Sequence, residues 1–151
     1  MNVGIYQTVA AFIACVGFAM IHKNKPSRIF TCGLCAALTW VVCLIAGYVT
    51  DDNIFMTYFV AAAFGTLLSE IVARITKAPS TIYLIPAILP MVPGGSLYYA
   101  TYGIVTGNSA SASYYGERTA LSGFGIAVGL VVVMIFTIYY NRHIHGRRVA
   151  K

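Results

Sequence analysis

The run Ile85-Pro86-Ala87-Ile88-Leu89-Pro90-Met91-Val92-Pro93-Gly94-Gly95-Ser96-Leu97-Tyr98 lies inside an apolar stretch from about Thr81 to Val105. Its residue types point to binding by the main chain rather than by acids or bases. Each proline lacks the N–H that would bond four residues back, so Pro86, Pro90 and Pro93 release the carbonyls of Ile82, Pro86 and Leu89. Gly94-Gly95 then relaxes the dihedral restrictions, and Ser96 is a candidate N-cap for a second half-helix from Leu97 to about Val105. Uncovered N–H groups at such a start, with the positive end of the helix dipole behind them, favour a carboxylate. Broken backbone inside hydrocarbon survives only where protein buries it or a wet cavity adjoins it, and secondary transporters build substrate sites from such breaks. A proline kink that serves only packing is the plainer reading of the same residues.

Tyr98 and Tyr102 stand four apart and share a helical face, as pathway walls or as interfacial anchors. Glu70 is the one acid inside an apolar run. A carboxylate there is expensive unless paired or facing a polar cavity, which makes it a proton-coupling candidate. Arg74, one turn later, offers the alternative of a structural pair. Cys32-Gly-Leu-Cys35 has the spacing of a redox or metal pair, but no second pair accompanies it. Cys15, Cys32, Cys35 and Cys43 read as small apolar filler. His22, His143 and His145 lie at span ends without metal-ligand spacing, and no phosphate loop, zinc-protease or nucleophile-elbow motif occurs. The candidate binding set is therefore Pro90, Pro93, Gly94, Gly95, Ser96, Tyr98 and Tyr102, with Glu70 for coupling. No catalytic residue, metal or cofactor is expected, and no enzyme.

These residues need spans to hold them. The chain is 59% hydrophobic and 9% charged, with mean hydropathy +0.78, against about 25% charged for soluble domains. The expectation is a single membrane domain over residues 1–151, all-α, with five transmembrane helices. They run over about 3–21, 29–49, 54–73, 81–105 and 120–140, with a polar loop over 106–118, a re-entrant or partly helical segment being the alternative there, and the fourth helix broken at Pro90-Gly95. Nine of the ten Lys and Arg residues then fall on one side: Lys23, Lys25, Arg28, Arg74, Lys77, Arg142, Arg147, Arg148 and Lys151. By the positive-inside rule the N-terminus is outside and the C-terminus cytoplasmic. The net charge of +6 is an orientation signal rather than a nucleic-acid footprint. The positive charges follow the first run, so it reads as a retained span and not a signal peptide. Tyr48, Tyr114 and Tyr115 fit an outer aromatic belt, and Tyr83, Tyr139 and Tyr140 an inner one. Small residues at Ala61, Gly65, Ser69 and Ala73, and at Gly125 and Gly129, mark faces for close helix packing, within one subunit or between two.

Gly17-Phe18-Ala19-Met20 before a basic, proline-containing turn, Gly65-Thr66 leading to Pro79, and Pro90-Met91-Val92-Pro93-Gly94 before Ser96 and Tyr98 together resemble the threonine/serine exporter family. The likeness is to the small subunit of its split two-gene form, over spans one to four, with span five similar in kind only. Pro86 and Gly95 depart from the family pattern at the break. The resemblance implies proton-driven export across a bacterial cytoplasmic membrane of threonine, serine or, in a split pair, succinate. It also implies a second, larger membrane subunit, with a homo-oligomer as a further arrangement. A non-transporting assembly or stabilising subunit is the competing function.

Overall fold

The computed structural model describes residues 2–22, 24–51 and 53–146, and every regular element in them is helical. Lys23, Arg147, Arg148 and Lys151, used in the charge count above, lie outside the described residues, as do the side chains of His143 and His145. The order is α1 (Asn2–Ile21), α2 (Pro26–Val49), α3 (Ile54–Thr76), α4 (Thr81–Ile88), a 3₁₀ turn (Leu89–Met91), α5 (Gly94–Val105) and α6 (Ser109–Gly146). Four of these, α1, α2, α3 and α6, are long and apolar enough to cross a membrane. The pair Thr81–Met91 and Gly94–Val105, bent by 49°, makes a fifth span if counted as one. This is a multi-pass α-helical membrane protein.

Local chemistry sets the boundaries. Pro26 opens α2 at a position where its missing N–H costs nothing. Asn53 caps α3, its side-chain oxygen accepting from the Met56 amide at 3.2 Å. Lys77 closes α3 in the left-handed conformation (φ 49°, ψ 50°) usually left to glycine.

The polar stretch 106–118, expected as a loop, is almost wholly helix. Only Thr106–Asn108 turn the chain, with Gly107 at φ +72°. Asn108 caps α6 by accepting from the Ser111 amide at 3.1 Å, and the Ser-Ala-Ser-Ala run that follows contains no helix breaker. The 38 residues of α6 thus extend about 57 Å at 1.5 Å per residue, well beyond an apolar core of about 30 Å.

Helix α3 is the hub. Its small face carries Ala61, Gly65, Ser69 and Ala73, all buried. A Cβ built on Gly65 would stand 2.9 Å from the Thr39 side chain of α2. On the other flank α6 runs parallel to α3, and Cβ atoms on Gly125 and Gly129 would come within 2.6 Å of the Phe55 and Phe59 carbonyl oxygens. Both small-residue patterns therefore serve packing inside one chain. The interior holds polar side chains without loss, because Thr39, Thr66, Ser69 and Ser122 each donate to the carbonyl one turn back at 2.7–2.9 Å.

The two buried clusters mark the two ends of the bundle. One gathers Ala19, Cys32, Cys35, Ala73, Tyr83 and Ala87 where α1 ends, α2 begins, α3 ends and α4 begins. The other joins Cys43, Ala61, Ala62 and Met91. Tyr83, expected in an interfacial belt, is instead fully buried, with its hydroxyl donating to Thr76 Oγ1 at 2.9 Å. A phenol with an internal partner does not need the membrane surface.

Candidate functional site

The bend in the fourth span is built from the three prolines, and their released carbonyls can be followed one at a time. The Ile82 oxygen accepts from the Cys32 thiol at 3.4 Å. The Pro86 oxygen accepts from the Cys15 thiol at 3.2 Å. The Leu89 oxygen is closed locally by the Val92 amide at 3.3 Å, ending the 3₁₀ turn. None of the three is left open to a ligand, which corrects the expectation from spacing alone. Two thiols from α1 and α2 do what water cannot in an apolar interior. Cys15 and Cys32 are thus more than filler. They fasten the first half-helix to its neighbours.

The second half-helix begins earlier than expected. Pro93 (φ −76°, ψ 54°) forms an inverse γ-turn in which the Gly94 amide donates to the Val92 oxygen at 2.7 Å, and α5 starts at Gly94 rather than Leu97. Ser96 is consequently inside the first turn and is not the N-cap; Pro93 holds that position, with no side-chain cap. The Leu97 amide bonds the Pro93 oxygen at 3.0 Å, while those of Gly95 and Ser96 meet no acceptor among the described residues. The proline sets the turn and the helix follows at once, so no serine is needed to start it.

Gly94 and Gly95 have ordinary negative-φ backbone, and nothing lies within 4 Å of where either Cβ would be. Neither conformation nor crowding within this chain requires a glycine there. Both are exposed, as are Tyr98 and Tyr102, whose rings stack at 6.3 Å between centroids on one face of α5. Edge-to-face and tilted ring contacts continue through Tyr99 to Tyr115 and Tyr114 of α6, and Arg118 sits over the Tyr114 ring at 5.5 Å.

Pro90 faces the other way. With Leu89 it lines an open cleft of about 350 Å³ shared with Gln7, Ala10, Ala11, Ala14 and Cys15 of α1 and Trp40 of α2. The structure therefore does not bring the seven candidates into one chamber. Pro90 adjoins an open cleft against α1 and α2, while Gly94, Gly95, Tyr98 and Tyr102 are exposed on α5 and its start. Gln7 and Trp40 were missed by sequence reasoning. Trp40 is the only residue of its type, and its indole N–H is buried without an acceptor among the described residues. A lone tryptophan in an apolar span was the available signal.

Glu70 is part-buried near the end of α3. It lines a cleft of about 650 Å³ with Ala73, Arg74, Lys77, Ala78, Ser80 and Arg142. The described residues contain no cluster of His, Cys, Asp or Glu able to hold a metal ion.

Comparison with known proteins adds the lineage. No solved structure matches the chain. A protein of Haemophilus influenzae described as uncharacterized is 29% identical over 101 residues, covering 67% of this chain and 34% of its own length. The chain thus spans about a third of that relative. The profile of the family described as "Threonine/Serine exporter, ThrE" matches residues 7–136. That range takes in α1 through most of α6, including the whole proline-broken span, and the chain belongs to the threonine/serine exporter family.

Proposed function

We propose that this chain is one subunit of a secondary transporter exporting small carboxylate-bearing metabolites, threonine and serine or a dicarboxylate such as succinate. In this reading export is proton-coupled across a bacterial cytoplasmic membrane, with the N-terminus outside and a second, larger membrane subunit of the same family completing the pathway. The observation that carries the reading is the pair of acceptor-less amides at Gly95 and Ser96, at the first turn of a helix that restarts inside a span. Amides so placed suit a carboxylate. The free volume over Gly94 and Gly95 supports close approach by something outside this chain, since a glycine pair serves no purpose within it.

In this proposal Pro90 and Pro93 shape the elbow, Gly94, Gly95 and Ser96 receive the carboxylate, and Tyr98 and Tyr102 wall the path. Glu70 carries the proton at the basic end. Reconstituting the chain with its larger partner and following labelled threonine, serine and succinate tests the reading. Flux of at least one above empty vesicles is expected, and absence of all three overturns it.

A second reading, a non-transporting assembly subunit, draws on the outward opening of Gly94 and Gly95, which would suit a partner helix as well as a solute. Gly94→Leu separates the two. The side chain meets open space in this chain, so fold and expression should hold. Covering the amides should remove charge-assisted hydrogen bonds of about 1.5–3 kcal/mol each, lowering flux by about tenfold or more. An assembled complex with unchanged flux favours the assembly reading.

A further inference from the structure

The cleft at the basic end of the bundle continues into a furrow. Arg74 at the end of α3, Lys77 in the turn to α4, Ser80 at the head of α4 and Arg142 on α6 surround the 650 Å³ cleft, with Glu70 as its one carboxylate. Glu70 and Arg74 also border a narrower space of about 180 Å³ between α3 and α6, lined by Leu67, Ile71, Phe136, Thr137 and Tyr140. Leu67, Ile71, Phe136 and Tyr140 are all exposed along the flank of the bundle, so the furrow opens to the surrounding lipid. A cationic head and an apolar tail thus adjoin through shared residues.

We propose that this site binds an anionic phospholipid, its phosphate among Arg74, Lys77 and Arg142 and the start of one acyl chain in the α3–α6 furrow. The positive-inside rule accounts for the sign of the charges but not for their convergence from three elements on one cleft. Basic pockets between spans on that side of a membrane suit phosphate headgroups. Glu70 narrows the choice to headgroups with a hydroxyl or ammonium to donate, such as the glycerol of phosphatidylglycerol. Lys77 strengthens the argument, because it occupies a left-handed position where glycine would be unstrained. A soluble metabolite anion would use the cations but leave the furrow without a role.

The test follows thermal unfolding of the detergent-purified chain with phosphatidylglycerol, phosphatidylcholine or glycerol 3-phosphate at equal phosphate concentration. Phosphatidylglycerol alone should raise Tm. Lys77→Gly and Arg142→Gln should each weaken its apparent affinity by about fivefold, and Lys25→Gln, outside the cleft, should not. Lys77→Gly should also raise Tm without lipid, so loss of binding and loss of folding move in opposite directions. An equal response to phosphatidylcholine, or a phosphatidylglycerol response that survives Lys77→Gly combined with Arg142→Gln, overturns the site. A glycerol 3-phosphate response as large as the lipid's assigns the cleft to soluble anions and overturns the lipid. No flux enters any arm, so the result stands apart from the export proposal.

Discussion

Cys15 and Cys32 change what the prolines mean. Read along the chain, three prolines in a span release three carbonyls. Folded, two of those carbonyls are taken by thiols 71 and 50 residues away. Losing a donor to a buried carbonyl costs about 1–3 kcal/mol, whereas exchanging one donor for another costs far less. Cys15→Ala should therefore lower Tm in detergent clearly and Cys15→Ser should largely preserve it; equal loss in both would mean that the thiol acts by volume alone. The prolines and their orphaned carbonyls were legible in sequence because i to i−4 bonding is local. The partners were not, because the pairing depends on how α1 and α2 pack against α4. A hint was present: within apolar spans poor in polar side chains, cysteines beside a proline-rich helix are among the few donors at hand.

The helices show where local pattern suffices and where it misleads. The glycines at 125 and 129 were recognisable as a packing face from spacing, and they lie against backbone oxygens of α3. Gly129→Ala must push Phe59 aside and should cost about 1–3 kcal/mol, whereas Gly123→Ala on the same helix meets nothing within 4 Å and should be neutral or slightly stabilising. Thermal unfolding of the two variants side by side checks the pair. Sequence alone leaves the start of α6 between loop and helix, because Ser, Gly and Tyr weigh toward loop in isolation. Once Asn108 supplies a cap, a run without proline continues as helix. Asn108→Ala should cost about 1 kcal/mol and fray the first turn, visible as faster hydrogen exchange at Ser111 and Ala112. The restart at Gly94 was missed for a related reason: composition named the breakers but could not say that Pro93 would close a γ-turn and let helix resume immediately.

The assembled bundle leaves much of itself uncovered. Its accessible surface is 9834 Å², against about 7,500 Å² for a compact soluble monomer of 16.3 kDa. Lipid covers apolar flanks, but lipid cannot satisfy the Gly95 and Ser96 amides. Those two amides should exchange rapidly with deuterium in the isolated chain and slowly once the proposed larger subunit is bound; equal rates in both would count against a partner at this elbow. The four long spans and the broken fifth segment were legible from hydropathy, whereas the division of the elbow into a thiol-fastened inner side and an open outer side was not, since it depends on how α1 and α2 pack against α4. The fastening also turns Cys15 and Cys32 into timekeepers. A thiol fully shielded and engaged with a carbonyl reacts with an alkylating agent only during excursions that part α4 from its neighbours, so the rate at which these two sulfurs are consumed counts how often the elbow comes unlatched.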